Sequence, residues 1–95
     1  MTIHVTARFT ARPESLDALR PILVGLVEPI RNDPGCIRCS LVANAADPAE
    51  LTFIEEWHSQ QALDRHLAED FVKAAVAEAE PLLAGPLDFR VHTPC

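Results

Sequence analysis

Glu55 interrupts an otherwise apolar strand face. Phe53, Glu55 and Trp57 alternate with Ile54 and Glu56, so all three point the same way. A carboxylate among such neighbours must be hydrogen-bonded, paired or opened to a solvated pocket, because leaving it unpaired in a core costs several kcal/mol. His66 stands with Leu63 and Leu67 at i, i+3 and i+4 spacing, which turns its ring inward from a helix. Parity and periodicity thus bring Glu55, Trp57 and His66 to one space between sheet and helices. An apolar pocket with a few inward polar groups is the usual form of a binding site. There His66 can serve as a general base near neutral pH. The plainer alternative is a histidine that caps the core and bonds a backbone carbonyl or Glu55. Trp57, taken alone, reads as core.

Other reactive-looking groups carry less. Cys36-x-x-Cys39 has redox or zinc spacing, but in a plain strand residues three apart face opposite ways and lie roughly 10 Å apart, beyond disulfide reach of about 7 Å. No second Cys-x-x-Cys and no histidine pair at ligand spacing accompanies it, and His66 with Asp70 reads as a solvated pair, so no metal site is expected. Gly25, Gly35 and Gly85 are too scattered for a phosphate loop, and neither Ser40 nor Ser59 has the context of a nucleophilic serine.

A length of 95 residues with 48% hydrophobic and 23% charged residues implies one ordinary globular domain, 1–95. Its net charge of −6 argues against a phosphate-binding surface, so nucleic acid is not an expected partner. The longest apolar run, Ile22 to Val27, is far short of the roughly 20 residues of a membrane span. Without an export signal, and with three cysteines that cannot all pair, the expectation is a cytoplasmic protein with reduced thiols.

The elements that must position Glu55 and His66 follow from periodicity. Ile3, Val5, Ala7 and Phe9 alternate with polar residues and predict a strand. Leu16, Leu19, Leu23, Leu26, Val27 and Ile30 follow a helical period after Pro13, with Pro21 and Pro29 expected to kink the helix or end it early. Asp33-Pro34-Gly35 supplies a turn, its glycine able to take a positive φ. A strand from Cys36 to Ala43 and another from Leu51 to His58, separated by the polar loop Asn44–Glu50, predict a hairpin. Ser59 caps a second helical region, Gln60 to about Leu83. Asp70 marks a restart that turns Phe71, Ala75, Val76 and Ala79 inward. Gly85-Pro86 ends it before a last strand carrying Leu87, Phe89 and Val91. The fold class is α+β, a ferredoxin-like βαββαβ with both helices on one face of a four-stranded antiparallel sheet.

Strand parity separates the faces. The first four apolar residues join Ile37, Leu41, Leu51, Phe53, Trp57, Leu87, Phe89 and Val91 beneath the helices. The opposite face collects His4, Thr6, Arg8, Arg38, Ser40, Val42, Thr52, Ile54, Glu56, Arg90 and His92. Its mixed charges suit either solvent or a second, stacked sheet. A homodimer would then form through the face carrying Arg8, Arg38, Glu56 and Arg90.

Asp33-Pro34-Gly35-Cys36-Ile37, Glu55-x-Trp57 and Ala62-Leu63-x-x-His66 together resemble the antibiotic biosynthesis monooxygenase (ABM) domain, in order and spacing over nearly the whole chain. The resemblance implies a dimeric α/β barrel of two ferredoxin-like subunits. It also implies oxygenation of a hydroxylated aromatic or quinol with no metal or flavin, in which the deprotonated substrate itself reduces oxygen. By that resemblance His66 is the candidate base and Glu55 orients it or bonds the substrate hydroxyl. Trp57, Phe53, Leu63 and Phe71 would wall the substrate pocket. Two features depart from the family pattern: the chain has no tyrosine, Cys39 standing where one is usual, and Phe71 replaces a frequent second histidine. Similar haem-degrading domains use a first-strand asparagine, which this chain lacks. A dimeric ligand-binding domain without turnover, and an isomerase or cyclase using the same pocket, remain the alternatives.

Overall fold

In the computed structural model, which describes residues 1–95, strand β1 (Ile3–Thr10) buries every second side chain as its alternation demands. It lies inside an antiparallel sheet of order β2-β3-β1-β4, with β2 at Cys36–Asn44, β3 at Asp47–Trp57 and β4 at Asp88–His92. Helices α1 (Leu16–Arg31), α2 (Gln60–Leu67) and α3 (Asp70–Ala79) pack on one face, and a single 3-10 turn, Glu80–Leu82, follows. The core joins Ile3, Val5 and Phe9 of β1, Leu51, Phe53 and Trp57 of β3, Leu19, Leu23, Leu26 and Ile30 of α1, and Leu63 of α2. This is the expected ferredoxin-like α+β arrangement, its second helical region divided at Ala68–Glu69 ahead of Asp70.

Helix α1 runs unbroken through both prolines. Pro21, Gly25 and Pro29 recur every four residues on the solvent side, where water can satisfy the carbonyls that lose a donor. The hairpin is tighter than expected. Asn44 pairs with Asp47 across Ala45-Ala46, and the polar segment read as a loop instead fastens the turn. Ala46 N donates to Asn44 Oδ1 at 2.8 Å, and Ala49 N to Asp47 Oδ1 at 3.1 Å.

Ile37 does not lie under the helices. Cys36 pairs with Trp57 but Arg38 with Glu56, so Ile37 is the extra residue of a β-bulge and is exposed. The bulge reverses parity, placing Cys36 beside the core and Cys39 within it, on the same side of the sheet. The premise of opposite faces therefore fails for this pair, although both thiols are free. Phe71 is 39% exposed and Val72 is buried in its stead: the inward stripe of α3 is Val72, Ala75, Val76 and Ala79, so Phe71 falls at the edge of that stripe while the other three expected positions hold. Phe89 and Val91 pair with Ala7 and Val5 as parity requires, yet both are exposed because β4 is an edge strand. No residue, Gly35 included, has a positive φ, so the turn at residues 33–35 does not use glycine's left-handed freedom.

Candidate active site

The turn, the end of β3 and helix α2 are locked together by local contacts. Ser59 caps α2 by accepting from Ala62 N at 3.1 Å, as a Ser before a helical stretch should. His58 N donates to Gly35 O at 3.0 Å, joining the strand end to the turn. Gly35 is needed for space: a β-carbon there would sit 2.7 Å from Ala62 Cβ. The close approach of α2 brings His66, one turn beyond Ala62, against Trp57 and the turn.

Glu55 is 6% exposed and His66 3%. The indole Nε1 of Trp57 donates to Glu55 Oε1 at 2.8 Å, which gives the buried carboxyl the partner that its burial requires. Burial nevertheless raises the Glu55 carboxyl above its ordinary range, with the indole bond acting in the opposite direction. The sequence leaves a Glu55–His66 bond open as one alternative; the carboxyl takes the indole as its partner instead. His66 instead lies against the Trp57 rings, centroids 4.5 Å apart at 34°, with the edge of Phe71 at 6.1 Å. Its Nδ1 is buried without a hydrogen-bond partner and faces Asp33 Oδ2 across 3.8 Å. Burial lowers the His66 pKa, opposed by the charges of Asp33 and Glu69, so the neutral imidazole is favoured.

Both groups line a small apolar cavity of about 80 Å³. Ala7 and Phe9 of β1, Phe53 of β3 and Leu87 and Phe89 near the C-terminus wall it on the sheet side. Ile30, Leu67, Val72 and Val76 wall it on the helix side. Of the six residues singled out in the sequence, Phe53, Glu55 and His66 reach the cavity. Trp57 and Leu63 are completely buried outside its lining, and Phe71 also lies outside it. Three larger hollows are more open: one on the outer sheet face around Arg8, Asp88 and Arg90, one beside Arg31 and Cys36–Ser40, and one between Glu80 and Leu87. No three His, Cys, Asp or Glu side chains converge as a metal ion needs. The thiols are poor nucleophiles at neutral pH: burial, then the Glu55 charge, pushes Cys36 up to about 11 and Cys39 to about 12. Sequence reasoning missed Asp33, whose Asp-Pro-Gly setting signalled only a turn.

Fold and site together define a small α+β protein with a histidine and a carboxyl group at one apolar cavity. The sequence matches the family described as antibiotic biosynthesis monooxygenase over residues 2–78. It is 34% identical over 92 residues to "Putative monooxygenase Rv0793" of Mycobacterium tuberculosis, covering 97% of this chain and 90% of that protein. The solved structure of Rv0793 superposes with a TM-score of 0.94 over 100% of this chain and 96% of the other, at 32% identity. A crystal structure described as an antibiotic biosynthesis monooxygenase gives a TM-score of 0.92 over 98% of both chains, at 28% identity. The chain belongs to the ABM family.

Proposed function

We propose that this protein is a monooxygenase that acts, without a bound cofactor, on a small hydroxylated aromatic or quinol. The observation that carries the reading is the meeting of a neutral-favouring imidazole and an indole-held carboxyl at one apolar cavity. Glu55 bonds the substrate hydroxyl and His66 takes its proton. The aromatic anion passes one electron to dioxygen, and the substrate radical and superoxide combine to form a C–O bond. His66 returns its proton to the outer peroxide oxygen; the ring C–H electron pair then forms the new carbonyl as the O–O bond breaks, and the released ring proton joins the departing hydroxide as water. One phenol and one dioxygen become one quinone and one water. The cavity is about half the roughly 150 Å³ that accommodates benzene, so a ring enters only as Leu67 and Phe89 swing aside.

The raised carboxyl and lowered imidazole also favour a second reading, an isomerase or cyclase in which Glu55 donates a proton and His66 accepts one. Oxygen uptake separates the readings. Metal-stripped, flavin-free protein is mixed with a panel of hydroquinones and anthrones beside His66→Ala and Glu55→Gln. The expected result is uptake above the autoxidation background, reduced at least ~100-fold in His66→Ala. Uptake unchanged in both variants refutes the mechanism. Product formed without oxygen consumption selects the isomerase or cyclase, and saturable binding with no product selects a ligand-binding domain.

A homodimer through the outer sheet face belongs to the same proposal. Arg38 pairs with Glu56 at 3.1 Å, while Arg8 and Arg90 pair with Asp88 at 2.8 and 2.9 Å. Exposed Val42 and Ile54 stand among these internally balanced charges. Such a face can stack on a copy of itself without burying an unpaired charge. Three free thiols fit a reducing cytoplasm, and no helix is long and apolar enough to cross a membrane.

A further inference from the structure

We propose that Asp33 is the positioning residue for His66, fixing which ring nitrogen carries the proton and stabilising the ring once it is doubly protonated. The role rests on His66 acting as the base.

Asp33 is held from both sides. Its Oδ1 accepts from Gly35 N at 2.9 Å, which orients the carboxylate within the turn. That leaves Oδ2 at 3.8 Å from the buried, unpartnered His66 Nδ1. A hydrogen on Nδ1 finds its acceptor only in that direction, so Nε2 keeps the lone pair for chemistry. Closing the gap by about 1 Å makes a charge-assisted bond, and catalytic hydrogen bonds are often long in unliganded proteins. The scaffold holds this geometry, because the missing Gly35 side chain seats Ala62 and the Ser59 cap fixes the first turn of α2.

Three acidic groups surround His66. Asp33 approaches from the turn, Glu69 from the α2–α3 junction, and Glu55 from β3 across the cavity. Glu69 is exposed and screened by solvent, whereas Glu55 Oε1 is engaged by Trp57. Asp33, with a side chain 20% exposed, is the partly desolvated charge aimed at Nδ1. It also joins a buried ring to the surface, which gives the proton taken up at Nε2 a counter-charge that water can reach.

The experiment uses ¹⁵N NMR of the histidine side chains in the intact protein, free of substrate, with Asp33→Asn as the variant. The amide oxygen of Asn can still accept from Gly35 N, so the turn is kept while the charge is removed. Expected are an Nδ1–H tautomer for His66 in the wild type and a titration midpoint about one pH unit or more lower in Asp33→Asn. The acidic limb of the kcat/KM profile should move the same way, while Asp33→Glu restores part of the shift. An Nε2–H tautomer in the wild type, or an unmoved midpoint in Asp33→Asn, overturns the assignment. Failure of the proposed function is separately visible: His66→Ala then keeps its turnover while the Asp33–His66 coupling remains in the NMR titration.

Discussion

Replacing Gly35 with Ala tests the contact that seats α2 on the turn. The added β-carbon would lie 2.7 Å from Ala62 Cβ and 3.6 Å from its Cα, against 3.4–4 Å for ordinary contact. It meets a carbon fixed to helix backbone, so the turn and α2 must separate by roughly 1 Å. Overpacking of this kind costs about 1–3 kcal/mol, offset by about 0.4–1 kcal/mol because alanine restricts the unfolded chain and Gly35 has no positive φ. The net loss of about 1–2 kcal/mol lowers Tm by roughly 5–15 °C in a domain of this size. Urea unfolding followed by the single, fully buried Trp57 measures the loss directly. Ala62→Gly supplies the control. Alone it costs about 1 kcal/mol of helix propensity, but combined with Gly35→Ala it removes the clash and recovers stability. A Gly35→Ala protein as stable as wild type, or an Ala62→Gly cost that simply adds to it, would refute the reasoning. His66 shares α2, so the same substitution should lengthen its distance to Asp33 and depress turnover.

Two further perturbations address the cavity. Glu55 has a folded pKa raised above its ordinary 4.5, so the folded state holds the extra proton and stability falls as pH rises from 4.5 through the folded value. His66 has a folded pKa lowered below 6.5, so its burial is fully tolerated above 6.5 and stability falls as pH drops from there through the folded value. Urea midpoints from pH 4 to 8 should show both slopes, and Glu55→Gln should abolish only the first. Phe89→Ala removes an exposed ring from the cavity wall on an edge strand, where the cost in stability is small. It should raise kcat/KM for two-ring substrates over one-ring ones, and an unchanged ratio would show that Phe89 does not limit size.

Strict alternation made β1 and the outer sheet face legible, because nothing interrupts the period between Ile3 and Phe9. The convergence of Glu55, Trp57 and His66 was legible for the same reason: two periods, one of strand and one of helix, aimed them at each other. Partner choice was not. Parity shows that Glu55 and Trp57 point the same way but not that the indole reaches the carboxylate. Ile37 defeated the pattern because it is itself the inserted residue, and in the sequence it continues the alternation of Cys39, Leu41 and Ala43 without a break. Phe71 was misplaced because adjacent apolar residues, Phe71 and Val72, both continue the stripe of Ala75, Val76 and Ala79, and periodicity alone does not choose between i+3 and i+4. Asp33 could not be found by periodicity at all. It sits in a turn and meets His66 only because Gly35 lets a helix from later in the chain come close.

The placement of the cysteines gives this protein a built-in handle for spectroscopy. Cys36 and Cys39 are held on the core side of β2 as protonated thiols, whereas Cys95 stands in the open at the C-terminus. A maleimide dye or nitroxide added to native protein should therefore attach at residue 95 before either of the others. Placed there, three residues beyond the edge strand whose Phe89 walls the cavity, a reporter can follow that edge as ligands enter, with no substitution in the wild-type sequence.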